Sequence, residues 1–161
     1  MLRSIIFLGL SLLFVNEINA QRIAENALGV RLGDSDGFGT EVNYQRALGE
    51  NNRLELGLGW SSNDNVTAIK ATGLYQWIWV LDGNFNWYAG VGGGVGQVSF
   101  DDDFPGDPDN ETFVFAAGDI GIEYNFNIPL LLSLDFRPEF GFGDYRDDLD
   151  FDIALGIRYQ F

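Results

Sequence analysis

The densest set of side chains able to do chemistry in this sequence lies in one stretch: Asp101, Asp102, Asp103, Asp107, Asp109 and Glu111. Carboxylate oxygens are hard ligands, so weak binding of calcium or magnesium is the chemistry open to them. Their spacing is not that of an EF-hand loop, and a solvated acidic loop is the alternative reading. Other chemistry is closed off. The chain has no histidine and no cysteine, hence no imidazole base, thiolate nucleophile, disulfide or thiolate metal site. The run Gly90-Val91-Gly92-Gly93-Gly94-Val95-Gly96 invites comparison with a phosphate cradle, yet no Lys-Ser or Lys-Thr follows and no helical pattern starts there. Neither a catalytic residue nor a resident cofactor is expected.

The remaining charges follow a rhythm. Arg31, Glu41, Glu55, Lys70, Asp119, Glu123, Asp135, Arg137, Glu139, Asp152 and Arg158 all fall in segments that alternate with a period of two, the signature of strands. The last segment is the clearest: Leu149, Phe151, Ile153, Leu155, Ile157, Tyr159 and Phe161 are large and apolar, while Asp150, Asp152, Ala154, Gly156, Arg158 and Gln160 between them are polar or small. Similar segments occur near residues 27–33, 37–46, 53–61, 66–80, 85–100, 112–126, 130–142 and 149–161, separated by Gly, Asn, Asp or Pro. Eight strands, an even number, predict an antiparallel up-and-down barrel. The alternation slips between Gly96 and Val98, which reads as a bulge or strand end. Glycines at 90, 92, 94 and 96 would leave volume on the charged face for Lys70 or for an arginine from across the barrel.

The two faces could be arranged either way, so their direction must be argued. A soluble lipocalin-like binding barrel would turn its apolar face inward; a membrane barrel turns it outward. Charges of both signs beside small residues suit a narrow interior. With strands laid alternately up and down, Tyr44, Trp77, Trp79, Phe85, Trp87, Tyr124, Phe126, Tyr159 and Phe161 fall at one end, and Phe38, Trp60, Phe140, Phe142 and Phe151 at the other. Two aromatic girdles around an aliphatic band are what lipid selects. A lipid-facing Arg or Lys near the midplane costs about 2–4 kcal/mol, so the charges belong inside. There they should form ion pairs. A hairpin of the last two segments centred near Tyr145 would make Arg137 a diagonal neighbour of Asp152, and Asp135 of Arg158.

Residues 1–20 differ in kind. Arg3 supplies a positive start, an apolar run from Ile5 to Val15 follows, and Asn19-Ala20 precedes Gln21, the pattern of a cleaved secretory signal peptide. The run is too short to span a bilayer, which takes roughly 20 residues. Residues 21–161 are then one domain. Removing the leader takes away one base, Arg3, and one acid, Glu17, leaving the net charge at −15. Nucleic acid is therefore not expected as a partner. Much of the acid falls in the connections at one end: Asp34, Asp36, Asp64, the 101–111 stretch, Asp144, Asp147 and Asp148, against the single base Arg146.

On these features the chain resembles the small eight-stranded outer-membrane barrels of the OmpA transmembrane-domain and OmpX type, in the form common among Bacteroidetes. The resemblance covers Gln21 to Phe161. Its most specific element is the terminal Ile153-Ala154-Leu155-Gly156-Ile157-Arg158-Tyr159-Gln160-Phe161, similar to the signal such proteins present to the barrel-assembly machinery, with Tyr159 and Phe161 as its aromatics. The resemblance implies a monomer in the outer membrane of a Gram-negative envelope, both termini periplasmic, in contact with membrane lipids and lipopolysaccharide. It implies a non-enzymatic part in envelope integrity or surface interaction, with a narrow pore as the rival. Barrels of this size that edit lipid A depend on a histidine, which is absent here.

Overall fold

Alternation of large apolar with small or charged residues commits a segment to an extended backbone with two unlike faces. In the computed structural model, which describes residues 23–33, 38–63, 65–100, 109–142 and 148–161, each such segment is a strand. They are β1 (Asn26–Leu32), β2 (Thr40–Ala47), β3 (Asn52–Asn63), β4 (Val66–Asp82), β5 (Phe85–Phe100), β6 (Glu111–Asn125), β7 (Leu130–Phe142) and β8 (Leu149–Gln160). The leader reading, on residues 1–20, lies outside the described residues.

Each strand pairs antiparallel with its sequence neighbours, and β8 returns to β1 from Ala27↔Gln160 to Leu32↔Leu155. Closure leaves no unpaired edge, a requirement in hydrocarbon. One ladder row can be followed from Leu28 through Tyr44, Leu56, Gly73, Gly93, Ala116 and Phe140 to Leu149. Carried on in the β8–β1 register, in which Leu155 meets Leu32, it returns at position 38, ten residues from its start. A stagger of that order tilts eight strands by about 40°.

The polarity of the wall is inverted relative to a soluble barrel. Arg137 is 1 % exposed while Ile153 is 65 % exposed. A lipocalin-like molecule would reverse those values, so that alternative is rejected: this is an eight-stranded transmembrane β-barrel. Three tight turns (β2–β3, β4–β5, β6–β7) share one end with the start of β1 and the end of β8, here called the terminal end. Aromatic pairs ring it: Trp79 stacks on Trp87 at 4.4 Å, Tyr124 meets Phe85 and Phe126 edge-on at 4.7 Å each, and Tyr159 stacks on Phe161 at 6.2 Å. Toward the far end Phe136 stacks on Phe151 at 5.5 Å and Phe140 meets Phe142 at 5.0 Å.

Two sequence expectations are corrected. Phe38 does not join the far girdle; it is buried in an inward cluster with Ala68, Leu74, Val98, Phe113, Phe115 and Ala117. It precedes β2, so the strand's parity does not govern it. Nor is there a bulge near Gly96: the pairs Gly96↔Phe113, Gln97↔Thr112 and Val98↔Glu111 run on without a break. Val98 is an inward apolar residue of that same cluster, which made the alternation look broken. The register shift lies instead between Val80 and Asp82, beside the turn where Gly83 takes a φ of 53°.

Candidate functional site

The barrel interior is where chemistry-bearing side chains converge, because inward positions of all eight strands face a space only a few side chains wide. The eleven charged residues singled out above are all buried on this face. What the sequence could not give is their partners.

Arg137 on β7 is the centre. Its guanidinium crosses the lumen to Glu55 on β3 at 2.8 Å and to Glu41 on β2 at 3.3 Å. Glu55 also takes Arg158 of β8 at 3.2 Å and the Gln45 amide at 2.6 Å. Arg158 is steadied from either side, its Nε donating to Asn43 at 2.9 Å and its Nη1 to Ser133 at 2.6 Å. Arg31 of β1 holds Asp135 of β7 and Asp152 of β8 together, each at 2.5 Å. Toward the far end Lys70 donates to both carboxylate oxygens of Glu139, at 2.9 and 3.0 Å. The same ammonium lies 5.3 Å from the Phe38 ring and 5.4 Å from that of Phe115, where the ionic layer meets the apolar cluster.

The hairpin expectation fails in register. Arg137 stands opposite Asp152 and Asp135 opposite Ala154, two residues from the expected pairing; the ion pairs of Arg137 run across the lumen to β2 and β3, and those of Asp135 and Asp152 go to Arg31 on β1, the strand that adjoins β8. Long side chains on a narrow wall reach acids on the opposite side, so cross-strand neighbourhood did not decide the partners.

Other members were missed. Arg53 is buried, pairs with Glu123 at 2.8 Å and lies 4.8 Å over the Tyr88 ring. Its inward parity with Glu55 was a usable signal, obscured by the adjoining turn. Gln76 was missed too. Its Oε1 accepts from Arg53 Nε at 2.6 Å, which turns its Nε2 toward Asp119 at 2.5 Å. Asn86 donates to Glu123 at 3.2 Å. The inward glycines make room for side chains of their own and adjoining strands: a Cβ on Gly94 or Gly96 would enter the rings of Phe115 or Phe113, one on Gly121 would meet Tyr88, and one on Gly29 or Gly156 would meet the Arg158 side chain.

Of the candidate cation ligands, Asp101, Asp102, Asp103 and Asp107 lie outside the described residues, as do most of the rim acids. Asp109 is exposed and Glu111 half-buried at the start of β6. Among the described residues no three acids are grouped so as to hold a metal ion.

No family model and no curated sequence matches the chain. Solved structures do match its fold. The N-terminal β-barrel domain of Pseudomonas aeruginosa OprF superposes with a TM-score of 0.66 at 12 % identity, over 84 % of this chain and 96 % of that one. Neisserial surface protein A gives 0.60 at 10 % identity, over 84 % and 94 %. Ail, the attachment invasion locus protein of Yersinia pestis, gives 0.55 at 14 % identity, over 84 % and 96 %. The fold is thus that of the small outer-membrane barrels, the kind the terminal strand resembles.

Proposed function

We propose that this chain is a non-enzymatic, monomeric barrel of the outer membrane, exported by a leader over residues 1–20, with both termini in the periplasm. It acts as a rigid body in the envelope, supporting its integrity or presenting a surface, and passes nothing through its interior. The observation that carries this reading is the Arg137 guanidinium lying across the lumen, bonded to Glu41 and Glu55. Buried pairs of this kind are costly to break, by about 3–5 kcal/mol when one partner is lost, so the plug is part of the fold rather than a gate.

Several features support the placement. The lipid-facing band, the aromatic belts and the structural neighbours all suit an outer membrane. The short turns sit with the termini, which is the periplasmic side in such barrels. The acid-rich connections then face outward, beside lipopolysaccharide. Ail has been solved with a heparin analogue, sucrose octasulfate; the acidic connections here would repel such a polyanion.

The test has two parts. Purified barrel in planar bilayers should give no conductance steps, and steady channels would replace this reading with that of a pore. A deletion strain should show altered envelope permeability or surface adhesion, restored by the intact gene. Wild-type behaviour in both assays would reject the envelope role.

A further inference from the structure

At the terminal end the outward-facing apolar surface does not stop at the aromatic girdle. On β2 the outward row Tyr44, Arg46 continues to Leu48 in the turn. On β4, Trp77 and Trp79 are followed by Leu81, which the register shift after Val80 leaves outside the ladder. Beyond β6, Tyr124 and Phe126 lead to Ile128. Leu48 is 55 %, Leu81 56 % and Ile128 61 % exposed. Two of the three turns at this end, and the strand end beside the third, therefore carry a bare aliphatic side chain, where polar residues alone would suffice if this end stood in water.

Between Tyr44 and Leu48 lies Arg46, the one exposed base among the described residues; Arg31, Arg53, Lys70, Arg137 and Arg158 are buried. Its Nη1 donates to Asn26 Oδ1 at 2.8 Å, an oxygen that also accepts the Tyr44 hydroxyl at 2.6 Å. Its Nη2 lies 2.9 Å from Glu25, whose side chain is 70 % exposed. An exposed pair like this one contributes little, so Glu25 can yield to a better anion. Arginine presents a planar fork suited to phosphate.

We propose that the terminal end is a seat for phospholipid headgroups: Leu48, Leu81 and Ile128 enter the boundary between headgroups and acyl chains, and Arg46 takes a lipid phosphate. The seat continues the aromatic belt, whose rings favour that same boundary, and the charge of Arg46 complements the phosphate. It rests on the membrane-barrel reading and adds to it a depth and a headgroup contact.

The chain has no cysteine, so Leu48→Cys, Leu81→Cys and Ile128→Cys each offer one site for a nitroxide label. In vesicles of phosphatidylethanolamine and phosphatidylglycerol, all three labels should meet oxygen several-fold more readily than a water-soluble nickel chelate. Val91→Cys, on the outer wall, should behave likewise, and Glu50→Cys oppositely. Turn labels matching Glu50→Cys would overturn the seat, whereas a Val91 label open to nickel would overturn the membrane reading itself. Separately, mass spectrometry of folded barrel released from the same vesicles should show retained phospholipid falling several-fold in Arg46→Gln and largely kept in Arg46→Lys. Equal retention in all three proteins would overturn the phosphate contact.

Discussion

Gln76 on β4 reaches Asp119 on β6 by passing over Gly90, which stands between them in the same ladder row. The glycine is there for clearance, since a Cβ at position 90 would come within 2.8 Å of Gln76 Cγ and 2.9 Å of the Tyr75 carbonyl oxygen. Gly90→Ala should therefore destabilise the barrel by about 1–3 kcal/mol, the usual cost of overpacking. Gly49→Ala, where a Cβ meets nothing within 4 Å, should change stability by no more than about 0.5 kcal/mol. Urea midpoints in lipid vesicles measure both, and equal midpoints would deny the bridge its need for space.

Arg137 and Arg46 make the matching contrast among ion pairs. Arg137→Met takes from Glu41 the base it is paired with and one of the two from Glu55, in a buried setting, for an expected loss of about 3–5 kcal/mol. Adding Glu41→Gln should recover part of it, because the stranded charge is then removed. Arg46→Met breaks an exposed pair with Glu25 and an exposed hydrogen bond to Asn26, and should cost no more than about 1 kcal/mol. Buried pairs are screened little, so the Arg137 deficit should persist at high salt. A deficit that disappears with salt would mean that water reaches the lumen freely.

Inside and outside were legible in the sequence because a strand has a period of two and lipid penalises charge: Arg137 and Ile153 could be assigned to opposite faces from parity alone. Partner choice was not legible. It depends on the ten-residue stagger, which brings Glu55 of β3 within reach of both Arg137 and Arg158, and no local pattern encodes that sum of eight registers. The β7–β8 pairing was misjudged by two residues because alternation fixes parity but not the centre of a connection. Phe113 and Phe115 went unremarked as interior residues, since the room for their rings comes from Gly96 and Gly94 on another strand.

Depth in the bilayer should be measurable along one strand. Ala71 and Thr67 both face outward on β4, the first near the middle of the stretch from Trp79 to Thr67 and the second at its far end. Ala71→Arg should cost about 2–4 kcal/mol and Thr67→Arg about 0–1 kcal/mol, following the fall in penalty from midplane to interface. Equilibrium folding into vesicles gives both values. Similar costs would place the apolar band elsewhere on the wall.

Phe161 has two separable parts to play. Its backbone exchanges both hydrogen bonds with Asn26, at 2.9 and 3.1 Å, and so extends the seam where β8 meets β1. Its ring stacks on Tyr159, and we propose, from the resemblance of the last strand, that it also completes an aromatic ending for the assembly machinery to read. Deleting Phe161 removes both, so the yield of folded, heat-modifiable barrel should fall in cells and in refolding from urea alike. Phe161→Leu keeps the backbone bonds and loses the ring. It should therefore refold in vitro nearly as the parent does, while accumulating less folded protein in the envelope. An undiminished envelope yield for Phe161→Leu would remove the recognition role and leave Phe161 as a seam residue; a refolding defect as large as that of the deletion would show that the ring itself stabilises the closure.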